Sequence, residues 1–173
     1  MSAILSDCGL YRYRLDRDMH SHDLLSAAGA PGSGLVYAYF GINPSTADAT
    51  IDDHTVKKWR GFTKVFGGRK FIVGNVFSYR SKDVEQLAIV KSPYGPDHLT
   101  HLAGIINDAD ILVPCWGNSS KVPASLHYMI KDTLSLLLIS GKPVLHFGKT
   151  KAGDPLHPQM LAYSTPLVPW ITP

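Results

Sequence analysis

Four short apolar runs alternate with amphipathic segments from residue 35 onward. The four runs are 35–40, 70–74, 111–115 and 143–147. Strands that alternate with helices are typical of a parallel sheet covered on both faces, and continuous apolar runs fit strands that are buried on both sides. We therefore predict an α/β protein with three layers, α/β/α, built on a four-stranded, mainly parallel sheet.

The segments between these runs predict helices. In 52–66 the apolar residues recur on one helical face, and Asp52 or Asp53 can cap the first turn. Further helices are predicted for 82–90, 97–109 and 122–140, the last with Pro123 in its first turn and Gly141 at its end.

The two ends of the chain are less regular. Residues 11–15 alternate in polarity and predict an edge strand or a flap within 1–30, and 149–173 is a loop-rich segment with several prolines. A chain of 173 residues fits one domain, so we expect 1–173 to form a single α/β domain.

Composition excludes some classes of protein. Two cysteines are too few for a disulfide scaffold, and no apolar run approaches the roughly 20 residues of a membrane span. With no signal peptide at the start, the expected location is the cytoplasm, away from membranes. The formal net charge of +3 permits an anionic partner without requiring one.

Polar segments follow each predicted strand, at the edge where ligands bind in open parallel sheets. The segments are 41–48, 75–80, 116–121 and, after the fourth strand, 148–151 followed by 155–158. Within them, Asn43 is a candidate to position a water or to start a turn before Pro44. Asn75 can read a base edge through its amide or cap its strand. His157 lies in a loop, where its imidazole can stabilise a departing anion.

The remaining candidates each have a structural alternative. The acidic cluster of Asp48, Asp52, Asp53 and His54 fits a general base or a metal site, or else helix capping. Trp116 and Phe77 can stack on a base or pack in the core, and Phe77 favours the core. The cations Arg80, Lys149 and Lys151 suit phosphate or a solvated surface.

These motifs carry two resemblances. The runs 43–48, 52–55 and 75–80, together with His157-Pro158, resemble a family of phages and bacteria whose function is unknown. The order of motifs also resembles the uracil-DNA glycosylase superfamily, whose mismatch-specific branch carries the Gly-Ile-Asn-Pro found at 41–44. Asn75 resembles the Asn that reads the base edge in that superfamily. Residues 115–117, with Lys121, resemble its strand followed by Trp-Gly. His157-Pro158 resembles its second catalytic motif, which begins with His-Pro.

Two positions depart from the classical pattern of that superfamily. Its water-activating Asp is replaced by Asn43, and the Ser that follows its His-Pro is replaced by Gln159. The resemblance implies a four-stranded parallel sheet between helices and an enzyme that releases a nucleobase.

We therefore expect hydrolysis of a nucleobase N-glycosidic bond, with DNA, a nucleotide or a nucleobase as partner and with no metal or cofactor. The alternatives are a non-catalytic module that binds a nucleotide or modified base, and a metal-dependent enzyme directed at phosphate. The candidate residues are, as catalytic groups, Asn43, Asp48 and His157; as base or ligand contacts, Gly41, Pro44, Ser45, Asn75, Phe77 and Trp116; and as phosphate contacts, Arg80, Lys149 and Lys151.

Overall fold

The computed structural model describes residues 1–19, 34–45 and 51–171. Its main sheet has five strands in the order β1-β2-β4-β3-β5. The strands are β1 (Ser2–Leu5), β2 (Arg12–Asp18), β3 (Val36–Gly41), β4 (Lys70–Asn75) and β5 (Ile111–Pro114). A separate two-stranded ribbon joins β6 (Leu145–His146) to β7 (Val168–Pro169).

Within the described residues the α-helices that accompany the sheet are α1 (His54–Val65), α2 (His98–Asp108) and α3 (His127–Ile139). Short 3₁₀ helices occupy Val84–Ala88, Ser119–Lys121, Ala124–Leu126 and Pro158–Met160. None of the described helices has the length and apolar content needed to cross a membrane.

Helices cover both faces of the sheet. Successive side chains of a strand point to opposite sides, so each strand contributes to the core on both faces. In β3, Ala38 and Phe40 join the core cluster that contains residues of α2 and α3. Tyr37 and Tyr39 join the second cluster, which contains the apolar face of α1. The mixed α/β class and the helices on both faces therefore agree with the sequence prediction.

The layout of the sheet differs from the prediction of four mainly parallel strands. Parallel pairing is confined to β3, β4 and β5, whereas β2 pairs antiparallel with both β1 and β4. The predicted strand 143–147 touches the sheet at one parallel bridge, between Val144 and Leu112. Its next two residues pair with β7 instead. The alternating segment at 11–15 belongs to an interior strand, because β2 lies between β1 and β4.

The helices at 52–66 and 97–109 form close to their predicted ends. Asp53 caps α1 by accepting a 2.9 Å hydrogen bond from the backbone N–H of Val56. The predicted helix at 82–90 is only the 3₁₀ turn Val84–Ala88. The predicted helix at 122–140 starts later, at His127, because Pro123 precedes a separate 3₁₀ turn.

A buried histidine under the sheet gives the fold a pH dependence. Burial lowers the pKa of His98 to about 4, with His101 adding to the shift, and the Nδ1 atom lies 2.7 Å from the Ser78 hydroxyl. The unfolded chain binds the proton near pH 6.5, so protons favour unfolding between pH 6.5 and about 4. We expect the free energy of unfolding to fall by roughly 2 kcal/mol between pH 7 and pH 5.

Urea denaturation at the two pH values measures this loss. The variant His98→Gln lacks the titrating group and should lose much less stability over the same interval. An equal loss in wild type and variant would show that His98 is not its source.

Candidate functional site

A cleft lies at the edge of the sheet where β3, β4 and β5 end. It has a volume of about 470 Å³. Residues from all four predicted polar segments line it. The predicted site residues in its wall are Gly41, Asn43, Ser45, Asn75, Trp116 and His157.

The Asn43 side chain is oriented by backbone carbonyl groups. Its Nδ2 atom donates to the carbonyl of Ser81 at 2.7 Å and to that of Pro44 at 3.3 Å. The carbonyl of Tyr79 lies at 3.5 Å. Because carbonyl oxygens accept and cannot donate, the amide NH₂ must face them. The Oδ1 atom therefore remains as the hydrogen-bond acceptor that Asn43 offers to a ligand in the cleft.

The His157 side chain offers a hydrogen-bond donor, where Asn43 offers an acceptor. Its Nδ1 atom accepts a 3.3 Å hydrogen bond from the backbone N–H of Gln159, at the start of the turn Pro158–Met160. A neutral imidazole has one proton, so this bond places the proton on Nε2. Burial lowers the pKa of His157, the charge of Lys121 lowers it further, and Asp53 opposes the shift. At neutral pH the side chain is therefore a neutral donor through Nε2–H.

Asn75 ends β4 beside Gly41, the last residue of β3. The two residues are paired in the parallel ladder, and Asn75 is 5% exposed. A Cβ atom at Gly41 would lie 3.0 Å from Asn75 Oδ1 and 3.6 Å from the Trp59 ring. Glycine at position 41 thus makes room for the Asn75 amide, which presents both a donor and an acceptor at the floor of the cleft.

Trp116 and Gly117 connect the end of β5 to the loop that carries His157. The backbone N–H of Gly117 donates to the Pro155 carbonyl at 2.9 Å. Gly117 has φ of +79°, and a Cβ there would lie 3.0 Å from the His157 Cβ. Trp116 is 4% exposed, and among the described residues its buried Nε1–H has no hydrogen-bond partner. This arrangement holds the loop of His157 against the backbone of Gly117, next to Trp116 in the chain.

Asp52 and Asp53 of the acidic cluster both form contacts that stabilise the fold. Asp53 caps α1 through Oδ1, while its Oδ2 accepts from the Ser45 hydroxyl, which ties the loop after β3 to the helix. Asp52 forms ion pairs with Arg17 at 2.6 Å and Arg60 at 2.8 Å. Asp48 lies outside the described residues. Over the described ranges, no group of three His, Cys, Asp or Glu side chains is arranged to hold a metal ion.

Five predicted contact residues lie elsewhere. Phe77 is fully buried in the core, and Pro44 is a buried loop residue whose carbonyl accepts from the Ser81 N–H. None of the three cations predicted to bind phosphate lines the cleft. Arg80 donates to the Gly9 carbonyl at 3.2 Å, Lys149 sits 3.9 Å from the centre of the Trp170 ring, and Lys151 is exposed.

The predicted list omitted other residues that line the cleft. Those with charge or hydrogen-bonding capacity are Arg12, Asp53, Thr55, Lys82, Asn118, Lys121 and Gln159. Arg12 lines it because β2 runs antiparallel to β4, so that the beginning of β2 meets the end of β4. The sequence pattern did not show that β2 is an interior strand paired with β4. A flap or an edge strand would not have to place Arg12 at this end of the sheet.

Comparison with known proteins gives one family. The sequence model of the family described as "Protein of unknown function (DUF1643)" matches residues 12–159, which is most of the chain. The chain therefore belongs to this family. Searches among curated proteins and among solved structures found no match.

Proposed function

We propose that this protein hydrolyses the N-glycosidic bond of a nucleobase. The observation that carries the proposal is the opposed polarity of two groups in one cleft, the Asn43 acceptor and the His157 donor. The resemblance of 41–44, Asn75, Trp116-Gly117 and His157-Pro158 to the motifs of the uracil-DNA glycosylase superfamily supports it.

The bond-breaking step needs a hydrogen-bond acceptor for the attacking water and a hydrogen-bond donor for the departing base. As the bond lengthens, the sugar gains positive character and the departing base gains negative charge. The Asn43 Oδ1 can hold the attacking water by accepting its hydrogen bond. On the other side, the His157 Nε2–H can donate to the base anion, and preorganised donors of this kind stabilise developing charge strongly.

Base selection falls to Asn75 and the aromatic wall. A carboxamide that presents a donor and an acceptor can match the edge of one base and leave another unsatisfied. Trp116 provides an aromatic wall against which a base can pack, although its small exposure limits the stacking area.

The proton of the attacking water needs an acceptor, because an amide is a poor base. Asp53 lies in the cleft, but both of its oxygens already accept hydrogen bonds from the protein. We therefore propose Asp48, which lies outside the described residues, as the auxiliary carboxylate that accepts this proton.

Two alternative functions use parts of the same site. A non-catalytic module would bind the base through Asn75 and Trp116 and release nothing. A metal-dependent enzyme directed at phosphate would rely on the acidic cluster. The ion pairs of Asp52 with Arg17 and Arg60 weigh against its use as a ligand.

Base release is the direct test. DNA that carries natural and modified bases is incubated with the protein, treated with alkali to cleave abasic sites, and assayed for free base by chromatography. We expect release that is indifferent to chelator. Asn43→Ala should reduce it roughly 100-fold, as expected for loss of a positioned active-site group.

A matched amide variant controls for the substitution. Asn107→Ala removes the same group from an exposed position on α2 and should leave release unchanged. If no base is released from any substrate while nucleotide still binds, the protein is a non-catalytic binding module and the proposed hydrolysis is wrong. Release that stops with chelator would favour the metal-dependent alternative.

A further inference from the structure

The cleft carries more positive than negative charge. Its described wall includes three cations, Arg12, Lys82 and Lys121, and a single carboxylate, Asp53. The two oxygens of that carboxylate are occupied by the Val56 N–H and the Ser45 hydroxyl. The described part of the site is thus suited to an anionic ligand.

The three cations come from three separate segments of the chain. Arg12 starts β2, lines the cleft and is 3% exposed, so its positive charge is buried in the wall of the cleft. Lys82 follows the loop after β4 and Lys121 ends the turn after β5, and both are exposed residues. In the sheet order β2-β4-β3-β5, Arg12 and Lys121 therefore lie on opposite sides of β3.

We propose that Arg12, Lys82 and Lys121 form a phosphate subsite, so that the ligand is a nucleotide unit and not a free base or nucleoside. The inference rests on the proposed function for the place of the base at Asn75. Phosphate oxygens fit this set, since the two exposed lysines supply mobile point charges and the buried arginine adds positive charge to the wall.

The surroundings of His157 support this placement. Lys121 acts on the imidazole closely enough to contribute to its lowered pKa. Both Lys121 and His157 line the cleft, so a phosphate held at Lys121 would share it with the group proposed to donate to the leaving base. Within one nucleotide the phosphate and the base are attached to the same sugar, so both would occupy this cleft.

Equilibrium binding by calorimetry tests the subsite without turnover. The probes are the four deoxynucleosides and their 5′-monophosphates, measured at low salt. We expect at least one monophosphate to bind roughly tenfold or more tightly than its nucleoside. Lys82→Gln and Lys121→Gln should each remove most of that advantage, and because these side chains are exposed the fold should persist.

Lys91→Gln is the matched control, since Lys91 is exposed and does not line the cleft. Equal binding of nucleosides and monophosphates, equal loss in all three variants, or no binding of any phosphate-bearing probe would each overturn the subsite. Failure of base release alone would leave it standing, because the measurement needs no reaction.

A five-nucleotide single-stranded DNA separates the two sources of phosphate. If the protein acts on DNA, the oligonucleotide should bind more tightly than any monophosphate. Its affinity should then fall steeply with salt, and each lysine variant should lower the slope by about one. If the ligand is a free nucleotide, the monophosphate should bind best.

Discussion

Replacing His157 with alanine is expected to lower the rate of base release by two to three orders of magnitude while the fold persists. The side chain sits at the start of the turn Pro158–Met160, with Nε2–H as its donor. A preorganised donor to developing negative charge contributes about 3–4 kcal/mol to the barrier, which corresponds to this change in rate.

Single-turnover kinetics of base release measures the effect, and the pH profile identifies its cause. The lowered pKa of His157 keeps the imidazole neutral at pH 7, and the neutral form already donates. Activity should therefore not decline as the pH rises from 6 to 8, whereas a cationic histidine acid would lose activity over that interval.

His54→Ala is the control, because His54 is exposed at the start of α1 and does not line the cleft. It should retain wild-type activity. Loss of less than tenfold in His157→Ala, or equal loss in both variants, would contradict a direct role for His157.

Much of this cleft follows from local sequence patterns. Asn43, Asn75 and Trp116 each come shortly after an apolar strand, and parallel strands β3, β4 and β5 bring such residues to one edge. His157 reaches the same cleft through its loop, which the Gly117–Pro155 hydrogen bond holds in place. Periodicity and parallel topology were enough to bring these side chains together.

The place of Arg12 in the cleft did not follow from sequence, because strand order is a long-range property. The pairing of β2 with β4 joins Leu15 to Val73, and no local pattern specifies it. That pairing brings Arg12 to the cleft. Lys149 and Lys151 were expected there because they follow the predicted strand 143–147. That strand leaves the sheet after Val144 and pairs with β7, which carries the lysines away.

Replacing Asp52 with alanine is expected to destabilise the fold by about 3–5 kcal/mol. Arg17 is fully buried and donates through Nε to Asp52 Oδ1 at 2.6 Å, while Arg60 donates to Oδ2 at 2.8 Å. Removal of the carboxylate deprives a buried guanidinium of this counter-charge, which costs more than the intact ion pair gains. Urea denaturation at pH 7 measures the loss.

The pH dependence of that loss follows from the same contacts. Burial alone would raise the pKa of Asp52, but hydrogen bonds from Arg60 and Arg17 outweigh it and hold the pKa below its usual value. The ionised carboxylate therefore stabilises the fold above the unfolded pKa, near 4, and this contribution is lost as the pH falls through the lower folded value. The difference between wild type and Asp52→Ala should shrink accordingly in acid.

The controls for this prediction are a substitution at an exposed aspartate and a double variant that removes both charges of the buried ion pair. Asp18 pairs with the N-terminal amine at 3.5 Å and its side chain is 67% exposed, so Asp18→Ala should cost less than about 1 kcal/mol. The double variant Arg17→Met, Asp52→Leu removes the buried charge together with its partner and should recover part of the loss. An Asp52→Ala effect as small as that of Asp18→Ala would show that the buried ion pair does not stabilise the fold, and that the helix cap at Asp53 is enough to hold the start of α1 beside the cleft.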